Sequence, residues 1–202
     1  MFEICPACGR YSDGMLVEKG KIRCPACGNA APFVQRPLFF LTGASGVGKS
    51  TAARILFDTR KEYVTVECDI LWRDFFNTPQ DGYADFRDTW LRLAANVSQY
   101  GKSAVLCGCV TPEQIQARPR KRYFSELHFI GVVCSEEEMA RRMAKRGFEP
   151  AHAAASGEFN RWMREEGPAS GVETIDATRL TPEETARRIH ALILSHLPRW
   201  AA

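Results

Sequence analysis

Leu38-Phe-Phe-Leu-Thr-Gly43-Ala-Ser-Gly-Val-Gly-Lys49-Ser50-Thr51 is the stretch whose reading decides the fold. An apolar run from Pro37 to Leu41 leads into Gly43, Ala44, Ser45, Gly46, Val47, Gly48, Lys49 and Ser50, which meet the pattern G-x-x-x-x-G-K-[ST] at every fixed position. The chemistry behind that pattern is anion binding. Glycines let successive backbone amides turn inward around a phosphate, in dihedrals that a Cβ disfavours. An ammonium at Lys49 reaches the β- and γ-phosphates, and a hydroxyl at Ser50 is a ligand for Mg²⁺. Thr51 to Arg60 then continues as a helix whose N-terminal amides and partial positive charge face the phosphates, with Thr51 completing the cradle. A strand before and a helix after separate this motif from a chance glycine-rich turn. The stretch predicts a site for ATP and Mg²⁺.

Downstream, the pattern of strand and helix repeats. Tyr63 to Glu67 reads as a second short strand that delivers Asp69 at its C-terminal end, where ligands sit in open α/β sheets. Tyr83 to Tyr100 reads as a long helix, with Phe86, Trp90, Leu93, Ala94 and Val97 at helical spacing. Ser103 to Cys107 is a third strand. Thr111-Pro-Glu-Gln114, Ser135-Glu-Glu-Glu138 and Thr181-Pro-Glu-Glu184 each place Ser or Thr at a helix cap with Glu or Gln three residues on, and two add proline at the first helical position. Each follows an apolar run, namely Ala104 to Val110, Leu127 to Val133, and Val172 to Ile175 extended by Asp176. A strand followed by a capped helix, repeated, predicts an α/β fold with a parallel sheet. The last helix is expected over Pro182 to Leu197, and Gly147 to Gly157 as a glycine-rich irregular stretch.

A different signature precedes the P-loop. Cys5-Pro-Ala-Cys8-Gly9 is echoed by Cys24-Pro-Ala-Cys27-Gly28, giving C-x₂-C-x₁₅-C-x₂-C. That spacing belongs to tetrathiolate zinc sites, in which four thiolates leave no open position and the metal is structural. About thirty residues cannot fold on core burial alone, and Zn²⁺ bound by Cys5, Cys8, Cys24 and Cys27 would supply the difference. Two disulfides or an iron centre are the competing readings; a reducing compartment, expected for a user of ATP, favours zinc. The segment resembles a zinc ribbon or a rubredoxin-like knuckle pair. Residues 1–32 are thus expected as a ribbon and 37–202 as the nucleotide-binding unit, with Ala30 to Arg36 as linker. Arg10, Lys19, Lys21 and Arg23 read as the solvated face of a hairpin.

Composition narrows the function classes. The chain has 202 residues, 45% hydrophobic and 25% charged, with a net charge of +3. That charge is too weak to demand a nucleic acid or a membrane surface as partner. No apolar run approaches a membrane span, and a cytoplasmic location is expected.

Phosphoryl transfer asks a protein to position groups and to neutralise charge on the moving phosphoryl. Asp69 is the candidate to accept the proton of an attacking hydroxyl or to hold a water on Mg²⁺, with a capping aspartate as the structural alternative. Arg141, Arg142, Lys145 and Arg146 cluster on the helix after strand four, as in a lid that closes over ATP. Arg87, among Asp85, Asp88 and Trp90, is placed to grip an anionic substrate or to pair with a carboxylate.

With these residues in view, the chain from Pro37 onward resembles the P-loop small-molecule kinases, the group that holds gluconate, shikimate and adenylate kinases. Met139-Ala-Arg-Arg142-Met-Ala-Lys-Arg146 is similar to the lid-helix pattern L-x-x-R-L-x-x-R, and Asp85-Phe-Arg87-Asp-Thr-Trp90-Leu91 to the D-x-D-R-x-P-W-L stretch of gluconate kinases. The resemblance implies a five-stranded parallel sheet in order 2-3-1-4-5, ATP·Mg²⁺ as donor, catalytic roles for Lys49, Asp69, Arg142 and Arg146, and substrate contacts from Asp69 and Arg87. A small hydroxyl-bearing acceptor such as a nucleoside, sugar or polyol is expected. The chain departs from the group in three places. Strand three ends Val105-Leu-Cys-Gly-Cys109 with no Asp for Mg²⁺, the adenylate kinase signature D-G-F/Y-P-R is missing, and Leu71-Trp72 stands where gluconate kinases have histidine and methionine. The alternative is a nucleic-acid-associated NTPase or RNA-end kinase in which the ribbon docks the polymer; no basic stripe with interleaved aromatics accompanies it.

Overall fold

A computed structural model describes residues 2–197; Met1 and residues 198–202, the ends of the two expected units, lie outside the described residues. Three short antiparallel strands come first, β1 (Leu16–Glu18), β2 (Lys21–Arg23) and β3 (Ala30–Pro32), in the order β1-β2-β3. The expected linker therefore begins later than the sequence indicates. Ala30-Ala-Pro32 has little strand preference of its own, but its backbone completes the ladder along Lys21–Arg23.

The main sheet follows. It contains β4 (Leu38–Thr42), β5 (Tyr63–Glu67), β6 (Ser103–Cys107), β7 (Leu127–Val133) and β8 (Val172–Asp176), all parallel, in the order β5-β6-β4-β7-β8. In sheet numbering this is 2-3-1-4-5, as expected. The helices are α1 (Lys49–Thr59), α2 (Ala84–Gln99), α3 (Pro112–Gln116), α4 (Glu136–Lys145), α5 (Pro150–Glu165) and α6 (Pro182–His196). None of the described helices is long and apolar enough to cross a membrane.

β4 shows why the sheet needs helices on both sides. All five of its residues are buried, and alternate side chains face opposite layers. Phe39 and Leu41 pack with Val47, Leu56 and the α6 residues Ile189 and Ile193. Leu38 and Phe40 pack with Trp90, Leu91 and Ala94 of α2. Burying each such side chain contributes about 1.5–3 kcal/mol.

The N-terminal hairpin joins the second of these layers. Cys5, Met15, Ile22, Cys24 and Phe33 belong to the same buried cluster as Phe40 and Trp90, and Phe2 contacts Tyr123 with ring centroids 4.9 Å apart. Polar contacts fix the docking. Glu3 is fully buried and accepts from Arg92 Nε at 2.6 Å and Arg120 Nε at 3.4 Å. Arg120 Nη1 also donates to Asp88 at 2.6 Å. Arg122 Nε donates to the Met15 carbonyl at 2.8 Å.

One segment corrects the sequence reading. The stretch from Gly147 to Gly157 is mostly helix: only a short turn separates α4 from α5, and α5 runs through Gly157. Pro150 takes the first helical position, where its missing N–H costs nothing, and the alanines after it favour helix.

Candidate active site

The loop between β4 and α1 has the dihedrals that its glycines permit. Gly43 has φ 137° and Gly48 φ 109°, and a Cβ on Gly43 would collide with the Val132 carbonyl oxygen. Thr42 fixes the entrance, donating from Oγ1 to the Val110 carbonyl at 2.6 Å and accepting from Val110 N at 3.1 Å. Lys49 is buried, and its ammonium donates to the Ala44 carbonyl at 3.1 Å, curled inside the loop. That bond holds the ammonium in place within the loop. No acidic side chain stands in the first turn of α1, so nothing on the helix itself offsets the partial positive charge of its N-terminus.

The cavity over this loop, about 290 Å³, is lined by Ser45, Lys49, Ser50 and Thr51 together with Asp69, Arg146 and His152. Asp69 reaches it because β5 ends at Glu67 and a short 3-10 turn, Cys68–Leu71, lifts the carboxylate to the sheet's C-terminal edge. The structure thus brings Lys49, Asp69 and Arg146 to one cavity. Arg142 is placed differently. Its Nε donates to Glu138 at 2.6 Å, Nη1 to the Val47 carbonyl at 2.8 Å and Nη2 to the Ala177 carbonyl at 3.1 Å. It braces the loop against the segment after β8, beside a second cavity of about 330 Å³ that Ala177, Leu180 and Pro182 line. Arg141 and then Arg142 hold the Glu138 carboxyl down at about 2.

Arg87 lies deeper, 6% exposed. Its Nη2 donates to the Cys109 carbonyl at 2.6 Å and to Gln114 Oε1 at 3.5 Å, and its guanidinium sits 4.4 Å over the Trp90 ring. Its Nε has no hydrogen-bond partner. The neighbouring Asp88, expected as a possible partner, pairs with Arg120 instead. Burial pushes the Arg87 guanidinium down to about 10.

Two residues escaped the sequence reading. Glu67 pairs in register with Cys107, the strand-three position that lacks an Asp. Its Oε1 is buried without a partner, and it lines with Ser50 a groove beside α1. Burial first, and then Glu67, pushes the Cys107 thiol well up. A short-range signal was present, an acidic residue ending strand two, but its orphaned oxygen is visible only in three dimensions. His152 lay in the stretch taken as irregular; α5 carries it, stacked on Phe148 with centroids 4.9 Å apart.

The four N-terminal cysteines also converge. Cys5 and Cys27 sulfurs are 3.6 Å apart, Cys8 and Cys24 sulfurs 3.9 Å, and all four lie within 4.8 Å of one another. A tetrahedron with Zn–S bonds of about 2.3 Å has edges of about 3.8 Å, so the donor set fits a single Zn²⁺. The Cys8 backbone amide, with smaller help from neighbouring groups, holds the Cys5 thiol down at about 6. Cys27, despite the Asn29 amide, is pushed up to about 12 by the crowded sulfurs of Cys5 and Cys8. Such crowding is what a divalent cation relieves.

Comparison with known proteins agrees with this geometry. The model of a family described as AAA domain matches residues 40–162. No curated protein matches the chain. Among solved structures, the chain is similar to an unliganded sugar kinase from Janibacter sp. HTCC2649, at 21% identity and TM-score 0.53 over 83% of this chain and 98% of that one. It is similar to a gluconokinase from Sinorhizobium meliloti 1021, at 20% identity and TM-score 0.52 over 80% and 99%. It is also similar to a shikimate kinase from Acinetobacter baumannii in complex with shikimate, at 19% identity and TM-score 0.54 over 79% and 94%. At these identities the likeness is one of fold, that of the P-loop kinases.

Proposed function

The chain belongs to the AAA domain family, and we propose that within it this protein is an ATP-dependent kinase of a small hydroxyl-bearing molecule that carries an anionic group. The observation that carries the proposal is the single cavity lined by Lys49, Ser50 and Asp69. Unless it serves Mg²⁺, a carboxylate beside the γ-phosphate repels bound ATP, whereas a kinase uses one to orient and deprotonate the acceptor. Such a base contributes about 10²–10⁴ in rate.

In this reading the loop amides hold the phosphates, and Lys49 leaves the Ala44 carbonyl for the γ-phosphoryl oxygens. Ala177, Leu180 and Pro182 offer the adenine an apolar wall. Ser50 would hold Mg²⁺, and Glu67, with its orphaned oxygen, is the residue that stands in for the missing strand-three Asp, directly or through water. Held there, Mg²⁺ would supply charge neutralisation for phosphoryl transfer. Arg146, which caps the end of α4, and His152 on α5 close over the transferring phosphoryl. Arg87 takes the acceptor's anionic group, since it is buried, lacks a carboxylate partner and has an unused Nε. Cys5, Cys8, Cys24 and Cys27 bind one structural Zn²⁺ in a ribbon, residues 1–32, set on the kinase unit, 37–202.

Asp69→Asn tests the assignment. It should keep nucleotide affinity while phosphoryl transfer falls at least about a hundredfold. Glu67→Gln should instead weaken the Mg²⁺ dependence of nucleotide binding. Wild-type turnover in Asp69→Asn would remove the proposed base.

A further inference from the structure

At the N-terminal edge of the main sheet, opposite the P-loop, three elements bring imidazoles and a carboxylate together. His128 is the second residue of β7, and Glu173 the second of β8. Glu173 pairs in register with Ile130, two residues after His128, so His128 and Glu173 leave the sheet on the same face. That face carries Ile130 and Ile175, which pack with Ile189 and Ile193 of α6. α6 ends at His196, which completes the group.

The ligand atoms of His128, Glu173 and His196 lie within 4.8 Å of one another. His196 Nε2 is 2.7 Å from Glu173 Oε1, and the two imidazoles stack with centroids 4.1 Å apart. The Phe39 ring stacks on His128 with centroids 5.1 Å apart. Glu126 Oε2 stands 3.0 Å from His128 Nε2 and adds a second carboxylate.

We propose that His128, Glu173 and His196 form a divalent transition-metal site of the Zn²⁺ class, separate from the four cysteines. The donor set argues for that class: imidazole nitrogen with one carboxylate suits Zn²⁺, Co²⁺ or Cu²⁺, while Mg²⁺ and Ca²⁺ take oxygen ligands. Three protein ligands leave a position for water or for Glu126, which otherwise orients His128 as an outer partner. Without an ion His196 pairs with Glu173 and His128 with Glu126; rotations of the two imidazoles turn their lone pairs toward an ion between them. Bound there, the ion ties the starts of β7 and β8 to the end of the last helix, so its effect is on stability and not on phosphoryl transfer.

The test uses the full chain with its cysteine site loaded. Dialysis against low-micromolar Zn²⁺, followed by elemental analysis, should give one more equivalent for the wild type than for His128→Ala or His196→Ala. Glu173→Gln should weaken that equivalent at least about tenfold. Zn²⁺ should raise the thermal midpoint of the wild type further than that of His196→Ala. Titration with Co²⁺ should fill this site without the sulfur-to-cobalt absorption of a thiolate site. Should His128→Ala fail to fold, His196→Ala and Glu173→Gln decide, because both side chains are partly exposed. No additional equivalent in the wild type, or the same equivalent retained in His196→Ala and Glu173→Gln, overturns the assignment.

Discussion

Arg87→Met separates a guanidinium kept for a ligand from one kept for the fold. The native group is 6% exposed, and burial lowers it from the ordinary guanidinium value to about 10. At 1.36 kcal/mol per tenfold change, the buried charge costs the folded state about 3 kcal/mol. Methionine has similar reach and no charge, so that cost disappears, and the thioether packs well on Trp90. Against this stands the bond to the Cys109 carbonyl, 2.6 Å long, whose loss costs about 1–2 kcal/mol. The variant should therefore be more stable by about 1–2 kcal/mol, raising the melting midpoint by about 2–4 °C per kcal/mol. The sign with pH follows. A base with a depressed folded pKa weakens the fold while it is charged in both states, and the penalty fades as pH rises above about 10. The advantage of Arg87→Met over wild type should thus shrink above pH 10. Urea and thermal unfolding at neutral pH measure the difference. A variant destabilised by more than about 1 kcal/mol would refute the reasoning, because Arg87 would then be an anchor of the loop after β6.

Other expectations follow from named contacts. Glu3→Gln should cost about 2–3 kcal/mol in urea unfolding, below the value for a fully buried pair because Arg92 is 40% exposed and can turn to water. Gly43→Ala, forced against the Val132 carbonyl at a φ of 137°, should lose at least about 1–3 kcal/mol and most nucleotide affinity, read by calorimetry with ADP. Cys24→Ser should lower the melting midpoint of the whole chain as one transition. Cys24, Met15 and Phe33 share a buried cluster with Phe40 and Trp90; two separated transitions in the calorimeter would contradict that.

The sequence made some of this legible and hid the rest for physical reasons. The P-loop and the cysteine pairs are short patterns whose chemistry fixes residue type at fixed spacing, so they read directly. The strand boundaries of β5, β6 and β7 also read well, since each is a largely apolar run followed by a turn or a capped helix, and β8, with only Val172 and Ile175 buried, reads from the capped helix after it. β3 was missed because its backbone is ordered by pairing with β2 and not by its own side chains. α5 was missed because Gly147, Pro150 and Gly157 look like punctuation, yet Pro150 opens the helix and Gly157 sits within it. The clamp of Glu3 on Arg92 and Arg120 joins residues 89 and 117 positions apart, a distance no local pattern reaches. For Arg87 the sequence leaves open a grip on an anionic substrate or a pairing with a carboxylate. Only the packed structure shows that Arg120 takes Asp88 and leaves the Arg87 Nε without a partner.

The most direct measurement is ADP release from ATP·Mg²⁺ across a panel of acceptors, run with wild type, Lys49→Ala and Arg87→Met. The panel pairs sugars, polyols and nucleosides with their carboxylate- or phosphate-bearing counterparts and includes short RNAs with free 5′-hydroxyls. The account predicts that an anionic small molecule stimulates ADP release in the wild type. Lys49→Ala should abolish that release, and Arg87→Met should raise the acceptor KM while leaving ATP affinity unchanged. Stimulation by RNA alone, or ADP release that no small acceptor increases, would contradict it.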